Sequence, residues 1–130
     1  MQSYNLRMDF AELIAGMPAE VQKVANQLRE MIRDELPTAS EAIPSGVSAP
    51  QVIYWVDQPS NVICTILPGS KGCQINIHYI EANDSEVFNI EGTEPGSRTI
   101  SFSQTLDPDE TDELTRLIHL AGKRAEGLEI

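Results

Sequence analysis

An amphipathic helix that ends abruptly at a proline constrains the fold of this chain more than any other feature. Pro18 suits the first turn of a helix. Pro37 disfavours helical geometry at Leu36 and lacks a backbone donor, so the helix must stop there. Between the two prolines the apolar residues follow the spacing of one buried face: Val21, Val24, Ala25, Leu28, Met31, Ile32 and Leu36. The helix therefore needs a second layer to cover that face.

A layer of β-strands is predicted from residue 51 onward, because the apolar spacing there changes to a period of two. Short turns separate the runs, so the strands are expected to form an antiparallel meander. The predicted strands cover residues 52–56, 62–67, 74–80 and 98–103. The first run is apolar on both sides, which predicts at least partial cover on both faces. In the third run the alternation places Ile75, Ile77 and Tyr79 inward.

Helices are predicted at both ends of the chain. A short helix capped by Asp9 precedes the amphipathic one. The clearest helix start is Asp107-Pro108-Asp109-Glu110, whose first and last residues make a capping box. Residues 38–50 are interpreted as a connection, and a short helix is expected near residues 84–88. The last helix buries a stripe formed by Leu114, Leu117, Ile118 and Ala121.

This order of elements predicts an α+β fold. It comprises two N-terminal helices, an antiparallel meander of about four to five strands and a C-terminal helix, with the helices packed on one face of the sheet. A length of 130 residues suits one domain, predicted to span residues 1–130 with an ordered core at residues 9–122.

The charge balance is strongly acidic, since 20 Asp and Glu residues stand against 9 Lys and Arg residues and give a formal net charge of −11. Such a surface repels phosphate backbones, so nucleic acid is not expected as a partner. The charge suits a bound cation or a partner with a basic patch, while the simpler interpretation is solubility.

The remaining composition favours a binding module over an enzyme. No signal peptide and no apolar run of about 20 residues is found, which predicts no membrane partner and a cytoplasmic location. Cys64 and Cys73 are too few for a disulfide framework and are expected to be free, half-buried thiols on neighbouring strands. Neither they nor His78 and His119 show the spacing of a metal site or of a nucleophile with its base.

A pattern of residues runs through these elements, and it resembles the YdhG-like family of small bacterial domains between about Phe10 and Ala121. It begins with Leu28-Arg29, Ile32, Pro37, Glu41 and Gly46, and it continues through Lys71, Tyr79, Glu91-Gly92-Thr93, Arg98 and the stripe of the last helix. The chain departs from the family pattern after Gly46, where Val47-Ser48-Ala49-Pro50 replaces a proline and an aromatic residue, and at Glu94, which replaces a glycine. The resemblance implies a fold likened to that of frataxins. It also implies iron delivery through acidic surface residues, as proposed for some members.

Five carboxylates in the loop after the third strand are the candidate metal ligands: Glu81, Asp84, Glu86, Glu91 and Glu94. Carboxylate oxygens suit iron and other hard cations, so a surface metal site is one interpretation of this loop, and iron is the cofactor that the resemblance implies. The partner that the resemblance implies is an iron-acceptor protein. The alternative is a solvated acidic loop, because carboxylates are ordinary surface residues.

A second hypothesis needs no metal and makes the chain a protein-interaction or small-ligand domain that acts as a homodimer. Tyr54, Trp55 and Tyr79 would line a pocket or the dimer interface, unless they are core aromatics. Arg98 would either pair with a carboxylate across residues 81–97 or clamp a ligand. Lys71 is the last candidate ligand contact, in a Gly-Ser-Lys-Gly run that is interpreted as a hairpin turn.

Overall fold

A five-stranded antiparallel sheet and three α-helices make up the structure, a computed structural model that describes residues 9–44, 49–94 and 98–127. The elements, in chain order, are α1 (Phe10–Ile14), α2 (Ala19–Glu35), β1 (Ser40–Ala42), β2 (Val52–Trp55), β3 (Val62–Pro68), β4 (Cys73–Ile77), a 3-10 helix (Ala82–Asp84), β5 (Thr99–Phe102) and α3 (Pro108–Ala125). The predicted α+β class is confirmed. Gly46 and residues 47–48, which carry part of the resemblance, lie outside the described residues.

The helices form where the sequence signals place them. Pro18 occupies the N-cap of α2, and the predicted stripe of that helix is buried from Val21 to Ile32, while Leu36 is half-buried at the C-cap. In α3 the Asp107 carboxylate accepts from the backbone N–H of Glu110 at 2.8 Å. The Glu110 carboxylate in turn accepts from the backbone N–H of Asp107 at 3.0 Å, which completes the capping box. Each helix therefore presents one apolar face to the sheet.

The sheet is a simple meander, with strand order β1-β2-β3-β4-β5. Its inner face packs against the helices, because every second side chain joins the buried core. Across this face Tyr54 lies opposite Cys64, Cys64 lies opposite Ile77, and Ile75 lies opposite Ile100.

The other side of the sheet, which we call the open face, carries the alternate side chains. It consists of Ser40, Ala42, Ile53, Trp55, Val62, Thr65, Leu67, Gln74, Asn76, Thr99, Ser101 and, bridged to Thr99 at the edge, Glu91, all half-buried or exposed. Among these described side chains Glu91 is the only charged one. The expected cover of at least part of both faces of β2 is observed: Val52 and Tyr54 are buried on the helix side, and Ile53 and Trp55 are half-buried on the open face.

The structure differs from the sequence-based expectation at three places. Strand β1 was not predicted, because residues 38–50 show no alternation. The expected helix at residues 84–88 is instead the 3-10 turn Ala82–Asp84. Tyr79 does not point inward: its φ of 70° breaks the alternation, so Tyr79 is 39% exposed and Ile80 takes the inward position.

A partly buried cluster ties β1 to α2. The Arg29 guanidinium donates two hydrogen bonds to Glu41, at 2.8 and 2.9 Å, and lies 4.7 Å from the centre of the Phe10 ring. The Tyr54 hydroxyl donates to the same carboxylate at 2.6 Å. Burial raises the pKa of the Glu41 carboxyl, but the bonds from Arg29 and Tyr54 outweigh it and hold that pKa below its ordinary value of 4.5.

This cluster predicts a dependence of stability on pH. Because the folded-state pKa of Glu41 is depressed, its contribution is present above pH 4.5 and is lost as the pH falls through the lower folded value. Glu41→Gln should cost about 1–2 kcal/mol at pH 7 and should flatten the loss of stability in acid. Urea unfolding at several pH values measures both effects. Glu30→Gln, on the exposed side of α2, should change the free energy of unfolding at pH 7 by less than about 0.5 kcal/mol.

Candidate functional site

An open cleft of about 580 Å³ lies at the end of the sheet where β3 turns into β4. Its walls come from the hairpin, from the end of β5 and from the residues before β2. The lining residues are Ala49, Pro50, Leu67, Pro68, Gly69, Lys71, Gly72, Cys73, Gln74, Ser101, Phe102 and Ser103. The volume lies within the range of about 300–1,000 Å³ typical of small-ligand sites.

The hairpin turn builds the floor of the cleft. The backbone N–H of Gly69 donates to the Gly72 carbonyl at 2.8 Å, and this bond closes the turn that the sequence predicted. A Cβ on Gly72 would lie only 2.5 Å from the Phe102 carbonyl oxygen, so only glycine lets β4 approach the end of β5 this closely. Register then brings Leu67, Gln74 and Ser101 into one row across three strands.

The chemistry of the cleft is apolar with one cationic group. Pro50, Leu67 and Phe102 supply apolar walls, and Gln74 donates to the Ser101 hydroxyl at 3.1 Å. Burial raises the pKa of the Cys73 thiol to about 12, so that thiol is protonated at neutral pH. Among the described residues that line the cleft, Lys71 alone carries a charge at pH 7.

The predicted metal ligands do not meet at one point in the described part of the chain, where no three Asp, Glu, His or Cys side chains could hold one metal ion. Glu81 pairs with Arg98 at 2.7 Å, and Asp84 pairs with Arg124 at 2.7 Å. The hydrogen bond from Arg124 holds the pKa of the Asp84 carboxyl below its usual value.

The remaining three predicted metal ligands, Glu86, Glu91 and Glu94, have exposed side chains. The backbone of Glu91 exchanges two hydrogen bonds with Thr99, both at 2.9 Å, and this bridge covers part of the outer edge of β5.

Arg98 lies beneath the loop rather than in the cleft. Its side chain is 9% exposed and donates to Glu81 at 2.7 Å, to the Ile80 carbonyl at 3.3 Å and to the Gly92 carbonyl. This geometry matches the predicted pairing of an arginine with a carboxylate across the loop. The side chain holds the two ends of residues 80–92 against the sheet.

The three candidate aromatics lie on different surfaces. Tyr54 is a core residue, 1% exposed, with its hydroxyl bonded to Glu41. Trp55 follows it on the strand and therefore lies on the open face. The Tyr79 hydroxyl donates to the Asn61 side chain at 2.5 Å. These residues do not form one pocket, because consecutive residues of a strand point to opposite faces.

The two cysteines are separated rather than adjacent. Cys64 lies opposite Ile77 and Cys73 lies opposite Pro68, so they are four positions apart along β3, or about 13 Å. Both are buried rather than half-buried, and burial raises the pKa of each thiol above its usual value. Burial also lowers the pKa of the His78 imidazole.

Of the predicted ligand contacts, the cleft contains Lys71, whereas its apolar residues Pro50, Leu67 and Phe102 were not predicted. The Gly-Ser-Lys-Gly sequence predicted a hairpin turn, but the residues that surround this turn and form the cleft follow only from the strand register.

The fold and the cleft define a small α+β protein with a ligand-sized recess at the hairpin end of its sheet. No family model, no curated protein and no solved structure matches this chain. Membership of the YdhG-like family therefore stays a prediction. In the described residues, no helix combines the length and the apolar character that a membrane crossing requires.

Proposed function

We propose that this chain is a non-enzymatic binding module that holds a small ligand in the hairpin cleft. The ligand has an apolar body and one anionic group that pairs with Lys71. The observation that carries the proposal is the combination of a 580 Å³ recess, apolar walls and a single lysine.

The relative size of the two interactions decides the ligand class. Burying about 150 Å² of apolar ligand surface contributes about 4 kcal/mol. A solvent-exposed ion pair with Lys71 contributes about 0–1 kcal/mol, and the net charge of −11 repels anions at longer range. An inorganic anion would therefore bind poorly, and the apolar body must supply most of the affinity.

The direct test is a titration of the protein with octanoate, followed by the backbone amide signals in NMR. Saturable shifts are expected at Leu67, Gln74 and Phe102. Lys71→Met should weaken octanoate binding about 2- to 5-fold and leave the neutral octanamide unaffected, because an exposed ion pair contributes at most about 1 kcal/mol. Lys23→Met, on the exposed side of α2, is the matched control and should change neither ligand.

Two outcomes would contradict this proposal. The first is an absence of shifts around the cleft up to about 10 mM octanoate, a range that covers millimolar affinity. The second is an equal effect of the Lys71 and Lys23 substitutions, which would reduce the role of Lys71 to general electrostatics.

Iron delivery, which the resemblance implies, is the second candidate function. What supports it is the set of exposed carboxylates Glu86, Glu91 and Glu94 on an acidic chain. Anaerobic titration of Fe(II) by calorimetry, with magnesium as competitor, separates the two functions. Saturable micromolar binding that disappears when these three residues are changed to Gln favours iron and, with it, an iron-acceptor partner. A weak binding heat that magnesium suppresses would instead favour the cleft as the functional site.

A further inference from the structure

We infer that the hairpin cleft selects one enantiomer of a hydroxylated carboxylic acid, and that Gln74 and Ser101 are the residues that determine this specificity. The inference rests on the proposed function, since it concerns the same cleft. It adds a third contact to the apolar walls and to Lys71, namely the pair of polar side chains that bridges β4 and β5.

The Gln74–Ser101 pair can both donate and accept hydrogen bonds toward a ligand. The Gln74 amide donates to the Ser101 hydroxyl at 3.1 Å, and within the described part of the chain neither side chain makes another hydrogen bond. An amide also has a carbonyl acceptor, and a hydroxyl has one donor, so the Gln74 carbonyl oxygen and the Ser101 O–H are left for a ligand. A ligand hydroxyl fits this pair, because one hydroxyl both donates and accepts.

The neighbouring row of the sheet contains a similar pair outside the cleft. Asn76 donates to the Thr99 hydroxyl at 3.4 Å across the same two strands. These two side chains are half-buried and do not line the cleft, whereas Gln74 and Ser101 are exposed and do line it. The Gln74–Ser101 pair is therefore the one that a ligand in the cleft can reach, and Asn76 supplies a control of the same chemistry.

The three kinds of contact come from three directions. Leu67 lies beside Gln74 on β3, and Ser101 lies on its other side on β5. Lys71 precedes Gln74 by three residues, a separation of at most about 10 Å at about 3.3 Å per residue. A carboxylate at Lys71 and an alkyl tail against Leu67 and Pro50 therefore place the first carbons of the ligand beside Gln74.

Three separate contacts around one carbon discriminate between mirror images. The carbon that carries the hydroxyl has a carboxylate arm directed to Lys71, a tail directed to the apolar wall and the hydroxyl directed to the polar pair. In the opposite enantiomer only two of these contacts form, because the third substituent points away from its partner. The difference is modest, since Gln74 and Ser101 are exposed and water replaces the lost bonds, and it corresponds to an affinity ratio of about 2- to 10-fold.

The test compares (R)- and (S)-3-hydroxyoctanoate with octanoate, each titrated into the full chain and followed by the amide signals of Leu67 and Phe102. One enantiomer should bind about 2- to 10-fold more tightly than the other. Gln74→Met should bring this ratio close to one, and Ser101→Ala should lower it. The ratio is measured within each variant, so a general change in the affinity of the cleft cancels. Asn76→Leu, the matched control, should retain the wild-type ratio.

The outcomes separate this inference from the proposed function. If octanoate binds in the cleft and the two enantiomers bind equally, the inference is wrong and the proposed function stands. If Gln74→Met and Asn76→Leu change the ratio alike, the selectivity does not come from the cleft pair, which also overturns the inference. If none of the three ligands shifts the cleft signals up to about 10 mM, both the inference and the proposed function are overturned.

Discussion

Replacing Arg98 by methionine is expected to lower the free energy of unfolding by about 3 kcal/mol. The guanidinium is buried and donates to the Ile80 and Gly92 carbonyls as well as to Glu81. Methionine fills a similar volume but provides no donor, so two loop carbonyls lose a partner and the loop loses its anchor. Urea unfolding followed by circular dichroism measures the change.

The Glu81 side of the same ion pair supplies the control. Its side chain is 59% exposed, so water replaces the lost interaction, and Glu81→Gln should cost less than about 1 kcal/mol. A larger loss of stability in Arg98→Met than in Glu81→Gln would show that Arg98 acts mainly by binding the two carbonyls and not through its salt bridge. If the two substitutions destabilise the protein equally, the carbonyl bonds contribute little and the anchoring role of Arg98 is wrong.

The elements with strong local signals were the ones that could be predicted from sequence. Helix α2 has a complete apolar stripe between two prolines, and α3 has a capping box that the structure reproduces. Both signals depend on residues three to four positions apart, which local chain geometry alone brings together. The order of the strands followed from their short connections.

What could not be predicted depends on residues that are distant in sequence. The strand β1 forms because Glu41 is held between Arg29 on α2 and Tyr54 on β2. The residues of β1 show no apolar alternation from which a strand could be predicted. The outward turn of Tyr79 follows from one backbone angle, which is seldom adopted outside glycine.

The candidate sites, like the fold, have a part that local sequence predicts and a part that depends on distant residues. A list of carboxylates can be taken from sequence, but their pairing cannot. Glu81 and Asp84 are each neutralised by an arginine that lies 17 or 40 residues further along the chain. The cleft likewise depends on the register of β3, β4 and β5, which places Leu67, Gln74 and Ser101 in one row.

The second large effect is expected at the base of the hairpin, where Gly72→Ala should destabilise the protein by about 2–3 kcal/mol. The added Cβ would lie 2.5 Å from the Phe102 carbonyl oxygen, a backbone atom that cannot rotate away. Strands β4 and β5 must therefore separate at this end, which also widens the cleft. Thermal and urea unfolding give the stability change, and amide signals of Gln74, Ser101 and Phe102 report the displacement.

Gly69→Ala, three residues earlier in the same turn, is the matched control. A Cβ there would lie 3.5 Å from the Gly72 carbonyl oxygen, an ordinary contact. Because alanine lowers the entropy of the unfolded chain, Gly69→Ala should raise stability by about 0.5 kcal/mol. The same chemical change at two neighbouring glycines should thus have opposite or very unequal effects. Similar losses at both positions would mean that flexibility of the turn, and not the close approach of β4 to β5, is what requires glycine.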